Sequence, residues 1–382
     1  MSNGKKKTPK NPAKSDENDE ELIFRIYSII SFFVVLIVIG LPIWWYTTRV
    51  YRATLPLTQM ENHVLNNNSE KEFRMPLSLE YDVLITFAHS DPLNPEVRIK
   101  GEDLEDKLLP VLESISQVFD FVIKSQWLYT FDLGVKLTKN EKYYALSRDQ
   151  LPHVITPLEA KLWSHMSPRP TINLLVYFQR CGDLPLYVFD EKNQRVSSNS
   201  FFSSRWGGVH VINPDEESCK TGVFTPNLQS ITSIFVTQLQ KLFKIDNMLD
   251  PDDVYEFKVR KSTEMVESTR RTLKSLAELL SEIKSIVISE DVGEKIRLAV
   301  ISADMAKEYL QNSYVDKGLE LARVAFKNSE EAFGDPSLLS LLYFPEDQKY
   351  AVYIPLFLPI MIPVFMSLST LRTWYVSKKK SE

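Results

Sequence analysis

AVYIPLFLPIMIPVFMSLSTL, from Ala351 to Leu371, is a stretch without an acidic, basic or histidine side chain. A helix needs about 20 apolar residues to cross the hydrocarbon core of a membrane, so this stretch predicts a transmembrane helix over residues 350–371. Lys349 is the nearest basic residue before it, whereas Arg372 and three lysines follow closely. Because cytosolic flanks are rich in Lys and Arg, we expect the basic tail, residues 372–382, to lie in the cytosol.

Three prolines, Pro355, Pro359 and Pro363, recur every four residues in this stretch and therefore share one stripe of a helix. Each proline removes a backbone donor, and in lipid the carbonyl that it frees needs another partner. The stripe predicts a kinked helix that packs against partner helices. The alternative is an ordinary anchor with incidental prolines.

A second apolar run, IYSIISFFVVLIVIGL from Ile26 to Leu41, leads into Trp44, Trp45 and Tyr46, which are typical of a bilayer interface. It is longer than the apolar core of a signal peptide, and no small-x-small cleavage site follows it. We therefore expect a transmembrane helix over residues 22–46, preceded by a disordered cytosolic tail, residues 1–21. Two crossings place both termini in the cytosol and the middle of the chain on the luminal side.

The predicted luminal part is acidic, since residues 26–349 carry 35 basic and 44 acidic side chains. Nucleic-acid backbones are bound by concentrated Lys and Arg, so a nucleic-acid partner is excluded. The N-x-S/T sequon at Asn67 falls in this part and is a candidate glycosylation site. The two cysteines, Cys181 and Cys219, also fall there, and either a disulfide or two separate buried thiols is compatible with the sequence.

Strand and helix patterns alternate over residues 47–249, which predicts an α/β or α+β luminal domain. Its clearest strands are Ser78–Ser90 and the apolar run Thr171–Phe178, which is expected to be central and covered on both faces. Shorter strands are predicted at 127–137, 143–146, 186–189 and 208–212, with a turn at 138–141 and a loop at 190–204. Helices are predicted at 47–60, from a cap at Asp103 to Phe119, and at 228–243.

Residues 250–349 carry almost no strand signal and predict a luminal helical segment. Three amphipathic helices are expected, with breaks at Ser289 to Gly293 and near Gly318. Gly334, followed by Asp335-Pro336, predicts the end of the third helix. The fold class is therefore a mixed-sheet luminal domain with a C-terminal helical segment, held between two transmembrane helices.

Motifs for chemistry are absent from the sequence. The five histidines have no metal-site spacing, and no glycine-rich phosphate loop occurs, so we assign no catalytic, metal or cofactor residue and expect no cofactor. Cys219 as a nucleophile with His210 as its base is the sharpest enzymatic hypothesis that the residues suggest. Trp206, Gly207 and Gly208 are interpreted as a structural motif, in which a turn or a close backbone approach needs glycine and the indole packs nearby.

Three strings carry a resemblance to a known family. They are LPIWWYTTRVYRATLP (Leu41 to Pro56), SRWGGVHV (Ser204 to Val211) and FPEDQKYAVYIPLFLPIMIPVF (Phe344 to Phe365). In order and in position relative to both apolar stretches, they resemble PIG-S, a subunit of the glycosylphosphatidylinositol (GPI) transamidase. The resemblance runs from end to end, although this chain is shorter than typical members, so some elements of the family are expected to be missing.

The resemblance implies a non-catalytic subunit of an endoplasmic-reticulum enzyme that cleaves a C-terminal signal from a precursor protein and joins the new end to a GPI lipid. It assigns the cysteine-protease-like chemistry to the subunit PIG-K, and implies PIG-T, PIG-U and the GPI anchor attachment protein as further partners. Two alternatives remain at this point. One is a cargo receptor or adaptor of the endoplasmic reticulum, and the other is a membrane-tethered thiol hydrolase that uses Cys219.

The C-terminal tail also resembles an address. The chain ends Lys379-Lys380-Ser381-Glu382, which resembles the dilysine retrieval signal of endoplasmic-reticulum membrane proteins. Such tails are read by receptors and do not anchor a protein. The alternative is that these lysines only form the positive flank that orients the transmembrane helix.

Overall fold

The computed structural model describes residues 23–24, 26–48, 51–61, 75–91, 95–140, 142–162, 167–282, 286, 288–340 and 346–379. The chain divides into two compact units. The first comprises Met1–Leu55, Glu278–Glu294 and Ala332–Glu382, and the second comprises Pro56–Ala277 and Lys295–Glu331.

The second unit is built on a five-stranded sheet in the order β3-β1-β6-β9-β8. Strands β1 (Glu80–His89), β3 (Asp120–Tyr129), β6 (Thr171–Phe178) and β9 (Gly207–Ile212) run parallel, while β8 (Ser200–Ser203) pairs antiparallel with β9. The apolar run TINLLVYF is β6, which lies between β1 and β9 with buried side chains on both faces. This confirms the prediction of a central strand, because a strand covered on both faces needs a continuous apolar sequence.

One face of the sheet packs against helices α4 (Gly101–Glu113) and α7 (Leu228–Phe243) and against the helical part of the chain. The core on this face includes Phe87 and Phe178 from the strands, Phe235 from α7, and Phe257 and Phe326 from the later helices. The prediction of a helix at 228–243 is confirmed with the same bounds. Its N-cap is Asn227, whose side-chain oxygen accepts hydrogen bonds from the backbone N–H groups of Gln229 and Ser230.

The other face of the sheet is covered by α5 (Leu151–Glu159) and by a small sheet of β4 (Thr138–Lys139), β5 (Tyr144–Leu146) and β7 (Leu186–Val188). The remaining short elements are β2 (Glu96–Val97), β10 (Val223–Phe224), α3 (Leu57–Glu61) and α6 (Glu216–Thr221). The mixed α/β prediction is thereby confirmed.

The helical part consists of α8 (Pro251–Glu282), α9 (Glu290–Gln311), α10 (Val315–Phe333) and α11 (Pro336–Ser340). The residues of α8, α9 and α10 that lie in the second unit contribute to the core on the sheet. Helix α10 ends at Phe333, directly before Gly334, as predicted. The two predicted breaks are wrong in place, because Gly293 lies within α9 and Gly318 lies within α10. The chain instead turns at Ser313, which adopts a positive φ of 63°.

The first unit contains the N-terminal apolar helix and α12 (Glu346–Lys379). The apolar helix begins as α1 (residues 26–33), continues as a π-helix at Val34–Gly40, and ends as α2 (Leu41–Thr48). Helix α12 runs unbroken over 34 residues and contains all three prolines of the stripe.

Four sequence predictions about local structure are wrong. The strand at 127–137 in fact begins at Asp120 and ends at Tyr129, since the preceding helix already ends at Glu113. Residues 138–139 form β4 and are not in a turn, and β8 lies inside the predicted loop at 190–204. Asp103 is in the first turn of α4, and the N-cap residue is Lys100.

The helical extension predicted at 47–60 is also wrong between Arg52 and Pro56. Here the chain is extended and pairs with residue 288, because the N–H of Ala53 donates to the carbonyl of Ile288 at 3.1 Å and the N–H of Ile288 donates to the carbonyl of Tyr51 at 3.2 Å. Helix α3 begins only after Pro56. Hydrogen bonds to a residue distant in sequence override the local helical pattern.

Candidate functional site

The Trp206-Gly207-Gly208 motif lies where β9 meets β6 and α7. Gly207 has φ of +131°, and a Cβ atom built on it would lie 2.0 Å from the carbonyl oxygen of Asn173 in β6. A Cβ atom on Gly208 would lie 1.8 Å from Oε1 of Gln238, a buried residue of α7. Gly207 therefore allows an approach between backbones that no other residue permits, whereas the neighbour of Gly208 is the end of a side chain.

The indole of Trp206 is buried in the core on the α5 face of the sheet. Its backbone carbonyl accepts hydrogen bonds from the N–H of Asn173 at 3.0 Å and from Nδ2 of Asn173 at 3.3 Å. Gln238 Nε2 donates to the carbonyl of Phe201 in β8 at 3.3 Å. The motif thus joins β6, β8, β9 and α7, and its geometry is that of a packing junction.

Cys181 and Cys219 form a disulfide with a Cα–Cα distance of 5.8 Å. The sequence allowed either a disulfide or two separate buried thiols, and the structure contains the disulfide. Cys181 begins a short 3₁₀ helix after β6, and Cys219 lies in α6, whose N-cap Asp215 accepts a hydrogen bond from the N–H of Ser218 at 2.8 Å. The sulfur of Cys219 is bonded to Cys181 and has no thiolate to offer, so the hypothesis of a thiol nucleophile is wrong for this structure.

His210, the base in that hypothesis, is a buried residue of β9. Burial lowers the pKa of its imidazole to about 4, against a smaller opposing effect of backbone hydrogen bonds at Ser198 and Asn199. His89, the last residue of β1, is also buried, and burial lowers its pKa against the opposing charge of Asp91. Both imidazoles are neutral at pH 7 and belong to the packed interior.

These buried imidazoles predict a loss of stability in mild acid. The unfolded imidazole of residue 210 takes a proton near pH 6.5, whereas the folded one stays neutral down to about pH 4. The contribution is complete above pH 6.5 and is lost as the pH falls toward 4, by about 3 kcal/mol in total. We expect the free energy of unfolding of the wild type, measured with urea, to fall between pH 7 and pH 4 by about 3 kcal/mol more than that of His210→Asn, which has no imidazole at this position. The exposed residue His153 supplies the control His153→Asn, and a pH-independent difference for His210→Asn would contradict the prediction.

Asp82 in β1 is the most deeply buried carboxylate among the described residues. One of its two oxygens, Oδ2, accepts two hydrogen bonds, from Lys124 Nζ at 2.7 Å and from Ser167 Oγ at 2.8 Å. Burial raises its pKa, but these hydrogen bonds and the charges of Lys124 and Arg169 outweigh burial and lower the pKa below its ordinary value. This ion cluster stabilises the start of the strand, and sequence reasoning missed it because its members are 42 and 85 residues apart from Asp82.

No group of three or more His, Cys, Asp or Glu side chains that could hold a metal ion occurs within the part of the chain that the structure describes. The candidate glycosylation site Asn67 lies outside the described residues, as does Lys380. Lys379 is the last residue of α12.

Within the first unit, α2 and α12 are in contact through aromatic rings. The ring of Trp44 lies 6.3 Å from that of Tyr353 and 6.2 Å from that of Phe357, in edge-to-face geometry. Beside this contact is a groove of about 420 Å³, which we call the interhelical groove. None of its nine lining residues is charged: Leu36, Ile37, Gly40, Leu41, Trp44, Tyr353, Ile354, Phe357 and Met361.

The proline stripe points elsewhere. Pro355, Pro359 and Pro363 each follow a groove-lining position by two residues, which is about 200° around the helix, and all three are exposed. Sequence reasoning noticed the prolines and missed the groove, although Tyr353, Phe357 and Met361 recur at the same four-residue spacing.

Among the described residues, the 21-residue helix Ile26–Tyr46 is the one whose length and composition would let it cross a membrane. None of the residues in its most apolar part is buried against the rest of the protein. This agrees with the predicted first crossing.

A profile of the family described as "Phosphatidylinositol-glycan biosynthesis class S protein" matches residues 31–79 and 63–378. The "GPI-anchor transamidase component PIGS" of cattle is 33% identical over 351 residues, which cover 84% of this chain and 63% of the relative. The human protein with the same description is 32% identical over 350 residues, with the same coverage.

A fission-yeast relative, the "GPI transamidase component PIG-S homolog" of Schizosaccharomyces pombe, is 23% identical over 321 residues, which cover 82% of this chain and 57% of the relative. The chain thus matches about three fifths of the length of these relatives.

Proposed function

We propose that this chain, which belongs to the PIG-S family, is a subunit of a GPI transamidase and supports the attachment of GPI anchors to precursor proteins. The observation that carries the proposal is the family match, which reaches from residue 31 to residue 378 and so includes both apolar helices and the sheet. The relatives described as transamidase components cover 84% of the chain at about one-third identity.

We assign the subunit a non-catalytic role. The disulfide at Cys219 and the burial of His210 in β9 support this assignment, because the one thiol–imidazole pair considered is then unavailable as nucleophile and base. Catalysis then belongs to a partner, PIG-K, and the assembly includes PIG-T, PIG-U and the GPI anchor attachment protein. The exposed proline stripe of α12 supplies a face for helices of these partners, because a helix in lipid that lacks backbone donors is more stable when packed against other helices.

We further propose two crossings of the endoplasmic-reticulum membrane, at residues 22–46 and 350–371, with both termini in the cytosol. Uncharged length at both segments and the Lys and Arg excess after the second support this topology. Protease added to sealed microsomes is expected to remove only the tails, and Asn67 is expected to carry a glycan that an endoglycosidase releases. Digestion of the sheet domain would contradict this topology, provided that a luminal marker protein stays protected and so shows that the vesicles are intact.

We propose that the dilysine tail is a retrieval signal on the cytosolic side of the membrane. Retrieval depends on register from the C-terminus, whereas orientation depends on nearby charge. A reporter fused to α12 and the tail is expected to leak to the Golgi when Lys379→Arg is combined with Lys380→Arg, which keeps the positive flank. Equal retention of the altered and original reporters argues that the lysines serve orientation alone.

The transamidase assignment is tested in cells that lack their own class S protein. The tagged chain is introduced into these cells by transfection. We expect PIG-K to copurify with it from digitonin extracts, and we expect a GPI-anchored reporter to return to the cell surface. Replacing Pro355, Pro359 and Pro363 together with Leu is expected to weaken copurification, with Leu356→Ala on the same helix as control. Copurification with secretory cargo in place of PIG-K favours a cargo receptor and overturns the proposal.

A further inference from the structure

We infer that the open edge of β3 pairs with β3 of a second copy of this chain, so that two five-stranded sheets join into one continuous sheet. The inference goes beyond the proposed function, because a role as a transamidase subunit does not by itself require two copies. Its basis is the direction of the backbone groups in β3, the unprotected state of the edge, and the side-chain pairs that a two-fold axis brings together.

Half of the backbone groups of β3 face away from the sheet. The strand has 10 residues, lies at one end of the sheet and runs parallel to β1 without interruption. The N–H of Asp120 donates to the carbonyl of Leu79 at 2.8 Å, so Asp120 faces β1. Because successive residues of a strand direct their N–H and C=O groups to opposite sides, every second residue faces outward. These residues are Phe121, Ile123, Ser125, Trp127 and Tyr129.

The outward groups are uncovered in a single copy. Within the described ranges, no strand pairs with this edge, and the one hydrogen bond at the outward backbone groups runs from Thr130 Oγ1 to the carbonyl of Tyr129. Ser125, in the middle of the strand, is exposed, and Tyr129 is 59% exposed. The edge therefore has donors and acceptors available for another strand.

The sequence of β3 contains none of the devices that usually protect an edge. Proteins block strand addition with proline, bulges, short edge strands or charged side chains that point outward. β3 has no proline, and its register with β1 has no bulge. Its two charged residues are held within the chain, since Lys124 Nζ donates to Asp82 at 2.7 Å and Arg323 donates to Asp120 at 2.7 Å. A long edge of this kind is a site for pairing with a further strand.

A two-fold axis at Ser125 uses the whole edge. It places two β3 strands antiparallel, and each outward residue then exchanges two hydrogen bonds with its opposite residue, about ten in total. Moving the axis to residue 123 or 127 leaves about six of these hydrogen bonds. Moving it to residue 124 leaves about eight and sets Lys124 directly opposite Lys124, which is destabilising. The axis at Ser125 is therefore favoured.

The same axis matches the side chains of the two copies. On the face of α4 it sets Phe121 opposite Tyr129, Ile123 opposite Trp127, and Ser125 opposite Ser125, and on the other face it sets Val122 opposite Leu128 and Lys124 opposite Gln126. Aromatic pairs and pairs of an aromatic with a β-branched residue stabilise antiparallel strands, and no like charges lie directly opposite each other. This self-complementarity is the reason for choosing a second copy over an unrelated strand.

The other edge of the sheet is a poor partner for β3. β8 has only 4 residues, so pairing of β3 with β8 of another copy leaves more than half of β3 uncovered. Such head-to-tail pairing also leaves an open edge at each end of the assembly, whereas the two-fold pairing closes after two copies. Closed two-fold dimers are the commonest homo-oligomers.

Ser125→Cys tests the position of the axis. Opposite residues of a hydrogen-bonded antiparallel pair have Cα atoms about 5.5 Å apart, which a disulfide can span. The two native cysteines are bonded to each other, so the introduced thiol meets no other free thiol in its own chain. We expect mild oxidation of membranes that contain the full-length variant to give a cross-linked product of twice the chain's mass. Ser116→Cys, at an exposed serine before β3, is the control and is expected to stay monomeric.

The register is tested with two differently tagged chains. Val122→Cys in one chain and Leu128→Cys in the other place the thiols at opposite residues, whose Cα atoms are about 4.5 Å apart in a non-hydrogen-bonded pair. We expect these two chains to cross-link with each other. Val122→Cys chains alone are expected to remain uncross-linked, because their thiols are six residues apart along the paired strands.

Ser125→Pro tests the contribution of the backbone. The N–H of this residue faces outward, so proline leaves the hydrogen bonds to β1 in place and removes two intermolecular hydrogen bonds at the axis. Differently tagged wild-type chains are expected to capture each other from digitonin extracts. Capture is expected to fall about tenfold when both chains carry Ser125→Pro, whereas abundance of the variant is unchanged.

A Ser125→Cys product that contains a different protein in place of a second copy overturns the inference and assigns the edge to that protein. Equal cross-linking of Ser125→Cys and Ser116→Cys also overturns it, because that result describes random collision. Copurification of PIG-K is measured on the same extracts. Cross-linked pairs without PIG-K contradict the proposed function and leave the pairing intact, whereas PIG-K without cross-linked pairs contradicts this inference alone.

Discussion

Gly207→Ala is expected to lower the free energy of unfolding by about 4 kcal/mol, and the variant is expected to accumulate poorly in cells. The methyl group would lie 2.0 Å from the carbonyl oxygen of Asn173, which is backbone of the central strand and cannot move aside. The backbone at φ of +131° is also one that residues other than glycine rarely adopt. Strain of this kind costs about 1–3 kcal/mol, and overpacking costs a similar amount.

The measurement is urea denaturation of the purified chain in detergent, with two comparisons. Gly182→Ala is the control, because no atom lies within 4 Å of its added methyl group, and it should change stability by no more than about 0.5 kcal/mol. Gly208→Ala should fall between the two, since its obstacle is the side chain of Gln238. Adding Gln238→Ala should recover part of that loss and none of the Gly207→Ala loss. A Gly207→Ala protein as stable as Gly182→Ala contradicts the close approach of β9 to β6.

Removing the disulfide is expected to cost about 4 kcal/mol. Cys181 and Cys219 are 38 residues apart, and closing a loop of that length in the unfolded chain accounts for about this amount in the chain-entropy description. We expect Cys181→Ala, Cys219→Ala and the double variant to be equally destabilised, because each breaks the same bond. Thermal or urea unfolding with and without reductant measures the effect.

The comparison between single variants also bears on function. Reductant should bring the wild type down to the double variant and should leave the double variant unchanged. Transamidation in cells should suffer equally from Cys181→Ala and Cys219→Ala, through lower abundance. A selective loss of activity in Cys219→Ala at normal abundance would indicate thiol chemistry and contradict the non-catalytic role.

The fold could be predicted from the sequence where one strong local pattern decided it. The apolar run of β6 and the amphipathic face of α7 kept their predicted bounds, because a central strand and a capped helix each satisfy their own sequence requirements. The pattern failed where a distant partner decides. Residues 51–53 are not helical because they hydrogen-bond with residue 288, and β8 forms because it pairs with β9.

The candidate site was predictable to a smaller extent. The glycine pair indicated a close approach, but the neighbours that require it, Asn173 and Gln238, are 30 or more residues away in either direction. Spacing alone likewise left the pairing of Cys181 with Cys219 open, since it depends on where the ends of β6 and α6 lie in three dimensions. The interhelical groove needs two helices in contact, which no single stretch encodes.

The shared core has a consequence for the order in which the protein is made. The strands β1 and β6 leave the ribosome early, yet the apolar face that they present is covered partly by Phe257 and by Phe326, which follows Phe178 by almost 150 residues. At about 5–20 residues per second, synthesis of that intervening chain takes roughly 7–30 seconds. During this interval the nascent sheet has an uncovered apolar face, so folding chaperones are expected to hold it until α10 arrives. The core of the sheet is therefore complete only after α10 has been made, shortly before synthesis of α12 begins.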